Sequence, residues 1–197
     1  SSYEDLKQLY MGGFLNMPWN KLYKKELIRE QFPVDLNLGE DLLFNEAYIR
    51  QTARISVLQQ PVCEYIQDDR GTTLSTKKRN DKVETALLLY EKTKAFFQSC
   101  YPDGGQFAFL ADKVCTTFLD EVEGLGFAKD MAYAETRAAV AEYAKQTRAF
   151  LQKEGIRKPE LTLLDYRIVF SFLRRQQISM TMLMIRLRAM VVEIVRR

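Results

Sequence analysis

A chain of 197 residues with 47% hydrophobic and 28% charged side chains can bury a core, which excludes an intrinsically disordered polymer. A net charge of only +3 argues against a dedicated nucleic-acid binder. The chain has no histidine. That removes Ser-His-Asp and Cys-His nucleophile systems and most zinc and non-haem iron sites, so acid/base chemistry must use carboxylates, Lys, Tyr or Cys.

The first expected helix starts at a Ser1 or Ser2 cap, with Glu4 and Asp5 in its first turn, and ends at Gly12-Gly13. Trp19 to Gln31 reads as a second helix with Leu22, Tyr23, Leu27 and Ile28 on one side, stopped by Pro33. A third should begin at Glu40 or Asp41. Arg54 to Leu58 and Val62 to Ile66 are short and rich in β-branched residues, with Gln59-Gln60-Pro61 between them, and read as two strands. Gln67 to Asn80 is polar and reads as a loop. Beyond residue 80 the pattern is helical. Breaks fall at Tyr101 to Gly105, at Gly124 and Gly126, and at Gly155 and Pro159, leaving final helices over Leu161 to Gln177 and Ser179 to Arg197. The expected class is mainly α with a small β component confined to about residues 53–67. No stretch reaches the roughly 20 apolar residues that span a bilayer.

Two runs carry a more specific signal. The first is Trp19-Asn20-Lys21-Leu22-Tyr23-Lys24-Lys25-Glu26-Leu27-Ile28. The second is Phe32-Pro33 followed by Gly39-Glu40-Asp41-Leu42-Leu43-Phe44-Asn45. Together they resemble the acceptor-side half of family 2 inverting glycosyltransferases, which have the GT-A fold. The match is close over residues 18–45 and looser to about residue 75. The resemblance implies the C-terminal part of a GT-A fold over 1–77, followed by a helical domain over 78–197. It also implies that the nucleotide-binding half, with its parallel sheet and Asp-x-Asp metal motif, lies before residue 1. On that footing the chain alone should be inactive.

The same resemblance implies site residues. Asp41 becomes the catalytic base and Glu40 its neighbour, contacting the acceptor; Trp19, Asn20 and Lys21 become acceptor-binding. A carboxylate within hydrogen-bond reach can take the proton of a sugar hydroxyl as the new C–O bond forms. By pattern alone, two acids at a helix start are also what the helix dipole favours. Arg70, in the polar loop before Gly71, becomes a donor-diphosphate contact. The segment around it departs from the family pattern, because Tyr65 is followed by Ile66-Gln67 rather than by the expected arginine. The implied metal is Mg²⁺ or Mn²⁺, held by the other half, with no metal ligand in this chain. The implied partners are a nucleotide-sugar donor and a glycan or lipid-linked acceptor.

Three scattered cysteines, Cys63, Cys100 and Cys115, form no Cys-x-x-Cys and suggest a reducing, cytoplasmic location, at the inner face of a membrane if the acceptor is lipid-linked. Charge is uneven: residues 161–197 carry 7 Lys/Arg against 2 Asp/Glu, while residues 1–160 carry 22 against 24. The final helix is apolar over most of its circumference. That makes it a core helix, a surface that meets a membrane, or a homodimer contact through 161–197. The competing functional class is a non-catalytic helical interaction or membrane-docking module.

Overall fold

The computed structural model describes residues 2–36, 38–52, 54–61, 63–64, 79–102, 107–128, 130–159, 161 and 164–195. Seven α-helices occur among them: α1 (Tyr3–Met11), α2 (Glu40–Arg50), α3 (Lys82–Cys100), α4 (Ala111–Phe127), α5 (Tyr133–Lys153), α6 (Leu164–Arg174) and α7 (Ile178–Val195). Short 3₁₀ turns lie at Phe14–Asn16, Lys25–Leu27 and Ala108–Leu110. The described chain divides into two compact units, 1–107 and 108–197. The mainly helical character matches the sequence.

In the first unit, α1 starts on a reciprocal cap. The Ser2 hydroxyl accepts from the Asp5 amide at 3.2 Å, and the Asp5 carboxylate accepts from the Ser2 amide at 2.9 Å. Tyr3 and Tyr10 of α1 meet Phe97 of α3 edge-on, and Tyr3 also meets Tyr101 and Phe107. α2 lies against α3, and the turn at Phe14–Asn16 bridges α1 and α2. The core here is Leu6, Leu15, Leu42, Phe44, Tyr90, Phe96 and Phe97.

In the second unit, α4, α5, α6 and α7 pack on one another around Val114, Phe118, Val122, Val140, Leu173 and Ile185. The three cysteines are free, and burial pushes the Cys115 thiol up to about 12, so it behaves as a small apolar side chain.

Three sequence expectations are corrected. First, no strand occurs among the described residues of 53–67. Ile55, Val57 and Leu58 are instead exposed on an irregular segment. β-branched residues favour a strand only where a neighbouring strand supplies a ladder and a face to pack on, and here neither is offered. Val62, Tyr65 and Ile66 lie outside the described residues. Second, 19–31 is not a helix; only Lys25–Leu27 makes a 3₁₀ turn. The four apolar residues expected on one face diverge: Leu22 is 98% exposed and Ile28 is exposed, while Tyr23 turns in towards α2. Third, Gly124 and Gly126 do not end α4, which continues to Phe127. At Gly126 a Cβ would stand 2.8 Å from the carbonyl oxygen of Ile185, so the missing side chain lets the α7 backbone lie against α4. The GT-A architecture has no counterpart in the helices described.

Candidate site at the start of the second helix

The segment between α1 and α2 has little regular structure, and side chains of α2 hold it in place. Asn45 is 1% exposed. Its Nδ2 donates to the Leu15 carbonyl at 2.8 Å, and its Oδ1 accepts from the Tyr23 hydroxyl at 2.5 Å. Both polar ends of the buried amide are therefore satisfied, which burial demands. The Tyr23 ring packs edge-on against Phe44 and Tyr48. The Tyr48 hydroxyl accepts from the Lys24 amide at 2.8 Å. Phe32 stacks on Phe44 with centroids 4.1 Å apart and planes 13° apart. The two sequence runs are thus folded onto each other: Tyr23 and Lys24 of the first and Phe32 beyond it all rest on Phe44, Asn45 and Tyr48 of α2.

Gly39 is the residue before α2, at φ +92°. A Cβ there would fall 2.5 Å from Leu89 Cδ1 of α3, so this position needs glycine for both its conformation and its space. Because Gly39 occupies the N-cap and has no side chain, Glu40 and Asp41 sit inside the first turn rather than capping it. There the helix dipole favours their charge.

Lys21 faces this turn. Its Nζ donates to Asn20 Oδ1 at 2.7 Å and to the carbonyls of Phe14 and Met17. Burial pushes its ammonium below the ordinary lysine value, and the charge of Asp41 pulls it part of the way back. Asp41 shows the converse. Burial and then the Glu40 charge push its carboxyl above the usual value, with Lys21 offsetting part of the rise. Tyr23 is pushed up to about 12 by burial, then by the charges of Asp41 and Tyr48. Glu40 Oε2 is buried without a hydrogen-bond partner, and its charge reaches Arg79, whose guanidinium holds Asp81 at 2.7 and 2.8 Å.

Asn20 and Lys21 are hydrogen-bonded to each other, and Lys21 and Tyr23 lie within electrostatic reach of Asp41, Tyr23 being a residue that the sequence reading had placed in the motif without a role. Asn45 is the other omission: a lone Asn on an apolar helix face gives no sign of which backbone it will hold. Trp19 is half exposed. Arg70 lies outside the described residues. Among the described residues no group of three or more His, Cys, Asp or Glu is placed to hold a metal ion.

Chemically, the arrangement is a partly buried carboxylate of raised basicity within electrostatic reach of an ammonium held by three oxygen acceptors. Such a carboxylate can accept a proton from a hydroxyl that reaches it, and the ammonium limits the cost of the charge it carries beforehand. No family model, curated protein or solved structure matches the chain.

Proposed function

We propose that residues 1–77 form the acceptor side of an inverting glycosyltransferase of the family 2 kind. Asp41 takes the proton of an acceptor hydroxyl as that oxygen attacks the anomeric carbon of a nucleotide-sugar. The nucleoside diphosphate departs from the opposite face. Glu40 contacts the acceptor beside it. Asn20 and Lys21 hold polar groups of the acceptor, and the Trp19 ring stacks on a sugar face. Arg70 reaches the donor diphosphate. The donor and its Mg²⁺ or Mn²⁺ are held by residues outside this chain, the acceptor is a glycan or lipid-linked hydroxyl, and the reaction runs in the cytoplasm at the membrane face.

The observation that carries this reading is the Tyr23–Asn45 clamp, which folds the Trp19–Ile28 run onto α2 and leaves Lys21 and Asp41 within electrostatic reach of each other. A second observation supports it. Leu22 and Val34 are 98% and 92% exposed, and Trp19, Ile28, Phe32 and Leu38 are exposed as well. An apolar surface of this extent is what a further protein layer would cover. For the membrane setting, no helix among the described residues is long and apolar enough to cross a bilayer, so attachment would be peripheral.

The test is an Asp41→Asn exchange in the intact protein that carries this chain, assayed for sugar transfer. Turnover should fall about 10²–10⁴-fold, the usual contribution of a positioned base. The melting temperature should stay within a few degrees, since the carboxylate is only partly buried. Near-normal turnover in the folded variant reduces Asp41 to a helix-start charge. Calorimetry of the 197-residue chain with UDP-, GDP- and dTDP-sugars plus Mn²⁺ should show no tight binding. Micromolar affinity would place the donor site within these residues. Failure of the intact protein to transfer any sugar would favour the non-catalytic module.

A further inference from the structure

The ends of α5 and α6 border a cleft of about 740 Å³ in the second unit, a size that small-molecule sites commonly have. Four arginines line it: Arg148 from α5, Arg157 from the turn after α5, and Arg174 and Arg175 from the end of α6. None of the described residues that line it is acidic. The one acid between residues 145 and 158 is Glu154. Its side chain is only 5% exposed and is engaged by Lys153 at 4.0 Å.

Cations at helix C-termini are ordinary, because the dipole and the last carbonyls favour them. That accounts for Arg174, in the last turn of α6, and for Arg175 just past it. It does not account for Arg148, which precedes the last turn of α5, or for Arg157, which lies beyond the helix. The terminal carbonyls are also held by backbone amides already. Ile156 and Gly155 donate to the carbonyls of Leu151 and Gln152 at 2.9 and 3.2 Å. Gln176 and Gln177 donate to those of Leu173 and Phe172 at 2.9 and 3.0 Å. Arg174 donates to the Arg157 carbonyl at 2.6 Å, which fastens the turn after α5 to the end of α6. Arg148, Arg157 and Arg175 are exposed and make no ion pair among the described residues. Like charges gathered this way repel one another and focus a positive potential into the cleft.

Four unit charges, less about half a charge from each of two helix C-termini, leave about +3. That balance suits several phosphate groups held close together better than one phosphate or one carboxylate. Guanidinium forks match phosphate oxygens in pairs. We propose that this cleft binds a ligand carrying clustered phosphate groups. Arg148, Arg157 and Arg175 hold the phosphates, and Arg174 adds its remaining N–H groups while it fixes the turn. Gln152, one turn on from Arg148 on the same face of α5, offers its amide to a hydroxyl beside them. The site lies wholly in the second unit and does not depend on the glycosyltransferase reading. A nucleotide-sugar, whose two phosphates are diesters with a single charge each, is a poorer match and should bind more weakly than micromolar.

Calorimetry of the 197-residue chain with inorganic tripolyphosphate, in the absence of metal ions, tests it. One saturable site should appear, and its affinity should fall as salt rises. Arg148→Glu and Arg175→Glu should each weaken binding at least about tenfold. Both residues are exposed, so the melting curve should not move. Arg137→Glu is the control. It lies exposed on the same helix, about 16 Å from Arg148 along the axis, and changes the net charge equally. It should alter binding less than about twofold. Absence of binding overturns the proposal, as does equal weakening by Arg137→Glu, which would reduce the cleft to diffuse charge. Vesicles of matched charge then separate the sources of the phosphates. Capture by phosphatidylinositol bisphosphate but not by phosphatidylserine, reversed by tripolyphosphate, assigns them to a lipid headgroup. Capture by neither assigns them to a soluble ligand. Equal capture by both, unaffected by Arg148→Glu, overturns the site.

Discussion

Glu46, on the inward face of α2, shows what one buried acid does to a small unit. It is 3% exposed, and burial pushes its carboxyl up to about 7, with the Thr93 hydroxyl and Arg50 drawing it partly back. Its Oε1 finds no hydrogen-bond partner of ordinary geometry. The folded state therefore holds this proton over a range where the unfolded chain, with a value near 4.5, has released it. Its stabilising effect is complete below about pH 4.5 and is lost as pH rises through 7, on the order of 3 kcal/mol in all. Below about pH 4 the trend reverses, because Asp5 and Asp81, both held below the usual carboxylate value by hydrogen bonds, must then take up protons. Glu46→Gln should flatten the slope between pH 5 and 8 and raise the melting temperature at pH 8. An unchanged slope in thermal melts across that range would mean that Glu46 ionises freely in the folded protein. None of this was legible in the sequence. Glu46 stands among Leu42, Leu43, Phe44 and Ala47 as any exposed helix acid would, and only the packing of α3 turns it inward.

The irregular segment between α1 and α2 is held by hydrogen bonds to side chains, not by its own backbone periodicity. That is why the sequence misplaced it. Leu22, Tyr23, Leu27 and Ile28 have helical spacing, but spacing yields a helix only where a surface receives the face, and α2 receives Tyr23 alone. The strand expected over Arg54 to Leu58 failed for the matching reason: extended-chain propensity without a partner strand leaves Ile55, Val57 and Leu58 exposed. By contrast, α1, α2 and the long helices after residue 80 were legible, because each carries its own start signal or enough length to define a face. The site was legible as two motifs, but the clamp that joins them was not. Asn45→Ala should expose that clamp. It leaves the buried Leu15 carbonyl without this donor and the Tyr23 hydroxyl with only the Pro18 carbonyl, at 3.4 Å, at a cost of about 1–3 kcal/mol. The Lys24 amide, now bonded to Tyr48, should exchange its hydrogen markedly faster as the segment loosens. Unaltered exchange at Lys24 in Asn45→Ala would show that the aromatic contacts of Tyr23 and Phe32 suffice without the amide.

At the scale of the molecule, two units of about a hundred residues each have their own cores. The second is the better closed. All four of its helices touch one another, and Gly126 lets α4 and α7 approach closely. The Tyr166 hydroxyl sits between Asp120 and Glu123 at 2.8 and 3.0 Å while Arg188 binds Glu123, which ties α6 and α7 to α4. A unit with its own core, and with its buried charge paired, is able to fold alone. The first unit depends on more irregular chain and leaves a wide apolar surface in water, so it needs further protein more than the second does. The expected result is an asymmetry. Residues 108–197 expressed alone should give a cooperative thermal transition and dispersed amide resonances. Residues 1–107 alone should be prone to aggregation, with a broad transition. Two separately measured melting curves decide it. A molten 108–197 would mean that this bundle draws its order from the first unit, and a sharp, soluble 1–107 would mean that the exposed apolar surface needs no cover.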